Sequence, residues 1–360
     1  MSDGKPDNPQ RGSVIVGTGA CVPERVLTNA DLERLVDTND QWIRERTGIR
    51  ERRIADPSQA VSDLAAVASR QALEMAGIEP ADLDLIIVAT LTPDRWLPSA
   101  SCTLQEVLGA RHAAAFDLNA ACSGFIYGLG VADSMIRSGM LETALVIGAE
   151  TLSRIVDYQD RSTCVLFGDG AGAAVLRPCA GGRGVLAVEL RSDGTQGNLL
   201  EIPAGGSRLP ASHQTVDERG HFIKMRGNEL FKFAVRSMES VSRATMEAAG
   251  VAPEDISLLI PHQANYRIVK ATADRLGMSE DRIVLNIERL GNTSSASVPI
   301  GLDEAVRGGR LKLGDRFAMV AFGGGVTWGA AVCEWNPALA EPLHERTAGA
   351  GAAAGRSSVT

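Results

Sequence analysis

Three residue types that could share one reaction stand far apart in this chain: a cysteine at 122, a histidine at 262 and an asparagine at 292. Cys122 lies in LNAACSGFIYGLG, a small-residue turn that runs into a predicted helix. A thiol at a helix N-terminus gains from the partial positive charge there, which favours the thiolate, the form that attacks carbonyl carbon. Cysteine is also simply a small apolar residue, and that reading suits Cys21, Cys102, Cys164, Cys179 and Cys333, none of which occupies a comparable turn. His262 ends an apolar run in IPHQANYRI, and Asn292 sits in RLGNTSSASVP. Taken singly, one reads as a strand-end histidine and the other as a turn residue before a helix. The segment FGGGVTWG (322–329) has either a tight turn to make or bare backbone amides to offer to an oxyanion.

Positioning such residues requires a regular frame. The runs VIVGTGA (14–20), LDLIIVAT (83–90), TALVIGAE (143–150), AGAAVL (171–176), ISLLI (256–260) and FAMVAFGGG (317–325) read as buried strands. Helical spacing of apolar residues covers Asp63 to Met75 and Glu229 to Ala249. Strands and helices that alternate in this way imply a layered α/β architecture. The chain also repeats itself. SRQALEMAGIEPADLDLIIVA (69–89) aligns without gaps to SRATMEAAGVAPEDISLLIPH (242–262), at an offset of 173, and each copy reads helix, Gly stop, Pro-acid turn, strand. A weaker echo near offset 170 sets AACSGFIYGLGVADSMIRSG (120–139) beside LGNTSSASVPIGLDEAVRGG (290–309), and places Cys122 opposite Asn292. Two matched units half a chain apart imply duplicated halves, since solenoid periods are much shorter. A pseudo-two-fold axis between the halves would let Cys122, His262 and Asn292 meet at the middle of the molecule.

Composition narrows the classes further. The 360 residues are 44% hydrophobic and 22% charged, ordinary globular values. Lys+Arg 36 against Asp+Glu 44 leaves −8, the wrong sign for a non-specific nucleic-acid binder. No apolar run is long enough to span a bilayer, and MSDGKPDNPQRG lacks the apolar core of a secretory signal. The six cysteines show no metal spacing and are expected to be reduced thiols in a cytoplasmic, metal-free protein. No GxxxxGK[ST] phosphate loop is present. Residues 1–12 and 336–360 are expected to be disordered tails around halves spanning 13–180 and 181–335.

Together AACSGF, HQAN, GNTSSASVP, FGDGAGAAVL and GGGVTWG, with WIRERTGIRERRIA (42–55), closely resemble β-ketoacyl-acyl-carrier-protein synthase III, over about residues 13–335. The resemblance implies a thiolase-like five-layer αβαβα sandwich from two duplicated halves, usually a homodimer. It implies Cys122 as the acyl-accepting nucleophile, with the Cys122 and Gly324 amides as oxyanion hole. His262 and Asn292 would hold the thioester oxygen of malonyl-acyl-carrier protein as carbon dioxide leaves. Trp42, Arg46 and Arg161 match coenzyme A contacts, and Asn228 matches a residue near the pantetheine channel. Lys232 and Arg267 match carrier-protein docking positions; Arg236, four residues after Lys232, would share its helix face. The implied substrates are acyl-CoA and malonyl-acyl-carrier protein, with no metal or redox cofactor.

Three positions depart from the pattern. Leu97 stands where Phe is common at the base of the acyl pocket across the dimer, so a deeper pocket is expected and the resemblance does not extend to acetyl-CoA as the preferred primer. Ser162 replaces a frequent Gly, and Asp274 replaces a base in some members' carrier patch. Competing functions are an acyltransferase or condensing enzyme of secondary metabolism, a cysteine hydrolase and a non-catalytic acyl-CoA-binding protein. Chalcone-synthase-like enzymes share the Cys-His-Asn set but fit WIRERTGI and HQAN poorly, and Asn292 disfavours a Cys-His-His enzyme. The CGSCW-type context of papain-like proteases is absent.

Overall fold

The computed structural model describes residues 11–343. Every run singled out as a buried strand is one, and three further strands complete two sheets. The first sheet holds β1 (Gly12–Cys21), β2 (Leu85–Ala89), β3 (Ala114–Leu118), β4 (Ala144–Glu150) and β5 (Gly170–Cys179), in the order β1-β5-β4-β2-β3. The second holds β6 (Val185–Ser192), β7 (Ile256–Pro261), β8 (Arg316–Gly323) and β9 (Thr327–Glu334), in the order β6-β9-β8-β7. Strand directions match as well. β1, β5 and β4 pair antiparallel and β2 joins β4 in parallel, while β6, β9, β8 and β7 repeat that sequence of directions. The duplication read from the sequence is therefore a duplication of topology, with β3 as the one strand of the first sheet lacking a mate in the second.

Helices fill three layers around these sheets. Their ranges are α1 (Asp40–Thr47), α2 (Val61–Ala76), α3 (Ala100–Leu108), α4 (Gly124–Arg137), α5 (Gly227–Ala248), α6 (Tyr266–Leu276) and α7 (Ser297–Arg307). α2 and α3 cover the outer face of the first sheet, and α5 with α6 covers the outer face of the second. Between the sheets lie α4 and α7, which contact both. Strands buried on both faces read as continuous apolar runs, which is why β2 and β4 were legible. β6 and β3 alternate or lie at an edge, which hides them from that reading.

The C-terminal boundary was misplaced. The chain beyond 335 is ordered as far as it is described: Pro337–Leu339 forms a 3-10 turn, Ala340 bridges Cys179, and the Glu341 amide donates to the Pro178 carbonyl at 2.9 Å. Leu339 and Ala340 pack on the core under α2, so apolar contact holds this stretch. At the other end Gly12, expected in the tail, already pairs with Cys179 in β1. The remainder of both expected tails, 1–10 and 344–360, lies outside the described residues.

Candidate active site

Both inner helices, α4 and α7, are entered through a 3-10 turn, Ala121–Ser123 before α4 and Ser294–Ala296 before α7. The two turns start 173 residues apart, the offset of the clear repeat, and they are built alike. Each begins on a non-glycine residue at positive φ, Ala121 at 46° and Ser294 at 50°. Each is closed by an asparagine two residues earlier: Asn119 Oδ1 accepts from the Ala121 amide at 3.2 Å, and Asn292 Oδ1 from the Ser294 amide at 2.9 Å. The true counterpart of Cys122 is thus Ser295, and that of Asn292 is Asn119. The echo at offset 170 was three residues out of register. Left-handed backbone at a non-glycine residue is strained, and its presence in both turns marks them as over-determined by their surroundings.

The turns touch each other and the opposite sheets. A Cβ on Gly323, at the end of β8, would stand 2.6 Å from the Cys122 amide nitrogen, and one on Gly148, in β4, would stand 2.1 Å from the Ser295 carbonyl. Only hydrogen fits at either place. The nucleophile turn is also tied to β9: Thr327 Oγ1 donates to the Ala120 carbonyl at 2.7 Å and lies 2.6 Å from Ser123 Oγ.

Cys122, His262 and Asn292 line one cavity of about 620 Å³, together with Gly323 and Phe322. Asn292 is fixed from both sides, its amide donating to the Leu166 carbonyl at 2.8 Å and its carbonyl accepting from Gly168 at 3.0 Å. With Oδ1 engaged by Ser294, its side-chain NH₂ is the group free to donate. His262 is buried, and among the described residues its Nδ1 has no hydrogen-bond partner. Burial pushes its titration down to about 3, so the ring is neutral. The Cys122 thiol departs from expectation. Burial foremost pushes it up to about 12. The expected thiolate is a thiol at rest, because removal from water outweighs the helix end, which begins two residues later at Gly124.

The mouth of the cavity carries the other expected residues. Trp42, Arg46, Asn228, Lys232 and Arg267 line it, as does Ser162. The Trp42 ring lies 5.7 Å from the Arg46 guanidinium and 5.3 Å from that of Arg161, so one indole gathers two cations. Arg161 itself is anchored outside the lining, donating to the Asp37 carbonyl at 2.8 Å. Arg267 lies 5.5 Å from the Phe231 ring. Arg236 is one turn beyond Lys232, bonded to its carbonyl, and does not line the cavity. Gly324 follows Gly323 against Leu200 and is not part of the lining. Leu97 is not either: it and Trp96 are 86% and 83% exposed. Asp274 faces Lys270 at 3.1 Å. A wider depression of about 830 Å³ near Cys21 and Gln71 holds none of these groups. Among the described residues no cluster of His, Cys, Asp and Glu could hold a metal ion, and no helix is long and apolar enough to cross a membrane. Sequence reasoning missed Glu150, Ser294 and Thr327, the polar groups that brace the two turns. The offset of 173, applied to Cys122, would have pointed to the Ser294–Ser295 turn.

A five-layer sandwich of two duplicated halves, with a cysteine turn facing His and Asn across the interface, defines a thiolase-fold condensing enzyme. Residues 116–194 match the family model for 3-oxoacyl-[acyl-carrier-protein (ACP)] synthase III, and residues 246–335 match its C-terminal model. A β-ketoacyl-[acyl-carrier-protein] synthase III of Caldanaerobacter subterraneus is 56% identical over 322 residues, 89% of this chain and 97% of that protein. The crystal structure of 3-oxoacyl-[acyl-carrier-protein] synthase III from Aquifex aeolicus superposes with a TM-score of 0.83 at 49% identity, covering 90% of this chain and 100% of the other. A priming β-ketosynthase of a polyketide biosynthetic pathway gives 0.85 at 36% identity, covering 92% and 99%. The chain belongs to the β-ketoacyl-acyl-carrier-protein synthase III family and is an acyltransferase-type condensing enzyme of fatty-acid biosynthesis.

Proposed function

We propose that the chain condenses an acyl-CoA primer with malonyl-acyl-carrier protein, through an acyl-Cys122 intermediate, to give 3-oxoacyl-carrier protein. The observation that carries this is the convergence of Cys122, His262 and Asn292 on one cavity whose mouth is lined by Trp42 and Arg46. In the first step the Cys122 sulfur displaces coenzyme A, and the thiol proton ends on the coenzyme A sulfur. The Cys122 and Gly324 amides receive the oxyanion. Next, malonyl thioester loses carbon dioxide, and its enolate oxygen takes hydrogen bonds from the neutral His262 ring and the Asn292 NH₂. Two neutral donors stabilise that oxygen without adding a permanent charge. The enolate carbon then attacks acyl-Cys122, the thioester C–S bond breaks, and the departing sulfur takes up a proton from solvent, which its high proton affinity favours. Every charge that develops is met by protein donors, so the reaction asks for no metal or redox cofactor.

Trp42 would stack the adenine, with Arg46 and Arg161 toward its phosphates and Asn228 along the pantetheine arm. The exposed Trp96–Leu97 pair and the unpartnered edge of β3 support a homodimer in which Leu97 closes the partner's acyl pocket. The likeness to a polyketide priming ketosynthase supports a second reading, in which the same Cys122 primes a secondary-metabolic carrier.

A panel of acyl-CoAs, followed by intact-mass analysis, tests the reading. A single acyl adduct should form and map to Cys122, and Cys122→Ala should take none. Adduct formation by that variant, or no adduct from any primer, overturns it. Condensation with malonyl-carrier protein from primary fatty-acid synthesis separates the first reading from the second.

A further inference from the structure

The two donors of the enolate step reach the cavity by different routes, and one side chain ties the routes together. His262 follows β7, and its amide donates to the Val320 carbonyl at 2.7 Å. Among the described residues its Nδ1 has no hydrogen-bond partner, so the ring takes its aim from packing and from its own backbone. Asn292 follows the short helical turn Ile287–Leu290, which has no capping side chain of its own at Asn286. The backbone N–H groups that open such a turn need a partner from elsewhere.

Gln263, buried beside the histidine, is that partner. Its Oε1 accepts from the Asn286 amide at 3.2 Å and from the Ile287 amide at 3.3 Å. Its Nε2 donates to the Pro261 and Val284 carbonyls, both at 2.9 Å. Its own amide donates to Ser297 Oγ, at the start of α7, at 2.7 Å. The carboxamide is thereby saturated, two hydrogens given and two accepted. These bonds fall into two sets. Those to Pro261 and Ser297 pin the peptide units immediately before and after His262. Those to Val284, Asn286 and Ile287 hold the segment that leads to Asn292, which is itself fastened to Leu166 and Gly168. The duplicated fold does not demand a carboxamide here. At the offset of 173 the counterpart of Gln263 is Thr90, a shorter side chain whose hydroxyl lies 3.2 Å from Glu150.

We propose that Gln263 is a positioning residue of the decarboxylation step, whose carboxamide sets the spacing and direction of the two enolate donors, His262 and Asn292. The inference deepens the condensation reading above and rests on it. Two neutral donors stabilise one oxygen only when both point at it, and a hydrogen bond weakens steeply as its angle closes. A shift of the His262 corner against the 284–287 segment therefore spoils the pair while leaving each donor in the cavity. No hydrogen bond of Gln263 reaches the nucleophile turn 120–123, so acylation of Cys122 lies outside its influence.

Two variants test this. Gln263→Met keeps the length of the side chain and removes its carboxamide, and Ser297→Ala removes only the partner of the Gln263 amide. Each is followed by carbon dioxide release from malonyl-carrier protein on the acylated enzyme and by single-turnover acylation from acyl-CoA. Gln263→Met should slow release about a hundredfold, the scale on which one oxyanion donor is lost. Ser297→Ala should slow it about tenfold, and both should keep acylation, and KM for malonyl-carrier protein, within about threefold of the unaltered protein. In a His262→Ala background, where one donor is already missing, Gln263→Met should cost less than about threefold more, because the two residues act through one interaction. Parallel loss of acylation and release would show that Gln263 merely holds the fold, and overturns the proposal. So would full additivity with His262→Ala, or unchanged release in Ser297→Ala, which keeps the test decisive even if Gln263→Met does not fold. Absence of carbon dioxide release from the unaltered protein would instead overturn the condensation reading, and the inference with it.

Discussion

His262 shows how far a single residue's environment departs from its free behaviour. It titrates at about 3 in the fold against an ordinary 6.5. The unfolded chain takes up a proton below 6.5 that the fold refuses until about 3, so this stabilisation is complete above 6.5 and lost as pH falls toward 3. The loss between pH 7 and pH 5 amounts to about 2 kcal/mol. Urea unfolding at pH 7, 6 and 5 should therefore show the protein losing about 2 kcal/mol more than His262→Gln over that range. Parallel slopes for the two would mean the imidazole titrates freely within the fold. The same burial keeps His262 a neutral donor throughout the physiological range, which is the state that oxyanion stabilisation requires.

At the scale of elements, the site exists because two strand ends approach two helix entrances more closely than any side chain allows. Gly148 and Gly323 play matching structural parts with different chemistry behind them. Gly323→Ala presses on the Cys122 amide, and Gly148→Ala presses on the Ser295 carbonyl. Overpacking of this kind costs about 1–3 kcal/mol, so both variants should melt earlier in calorimetry. Only Gly323→Ala should lose Cys122 acylation out of proportion to its stability, because it displaces an oxyanion donor. Loss of acylation in equal measure in both would show that the turns move as one body. The buried Arg52 is a related device: it donates to Asn29 Oδ1 at 2.9 Å and to the Val165 carbonyl at 2.8 Å, and so ties the segment after α1 to the cavity wall.

Across the whole molecule, the charge of −8 opposes an acidic partner, so a carrier protein needs a local cationic field. Lys232 on α5 and Arg267 on α6 come together at the cavity mouth, with Arg236 a turn further out. Lys232→Glu combined with Arg267→Glu should raise KM for malonyl-carrier protein while leaving Cys122 acylation by acyl-CoA nearly intact, and Arg236→Glu should do less. The defect should vary with salt, since exposed charges are screened over about 8–10 Å at physiological ionic strength. Equal loss with both substrates would place these cations in the coenzyme A site and remove them from docking.

The chain's own pattern determined a good deal: buried strands as continuous apolar runs, the helices α2 and α5, a duplication at offset 173, and Cys122, His262 and Asn292 as the residues with chemistry to offer. These are legible because burial on both faces and helical periodicity are written locally, residue by residue. Register between the halves was not, since small residues on both sides of the turns let an alignment slip by three positions. Nor could the protonation of Cys122 be read, because the helix end is visible in sequence and the burial that outweighs it is not. Glu150 looked like the last residue of a strand. Only the tertiary structure brings five hydroxyl and amide groups from two distant segments, 90–92 and 294–295, around it, because contacts between groups so far apart in sequence are decided by packing alone.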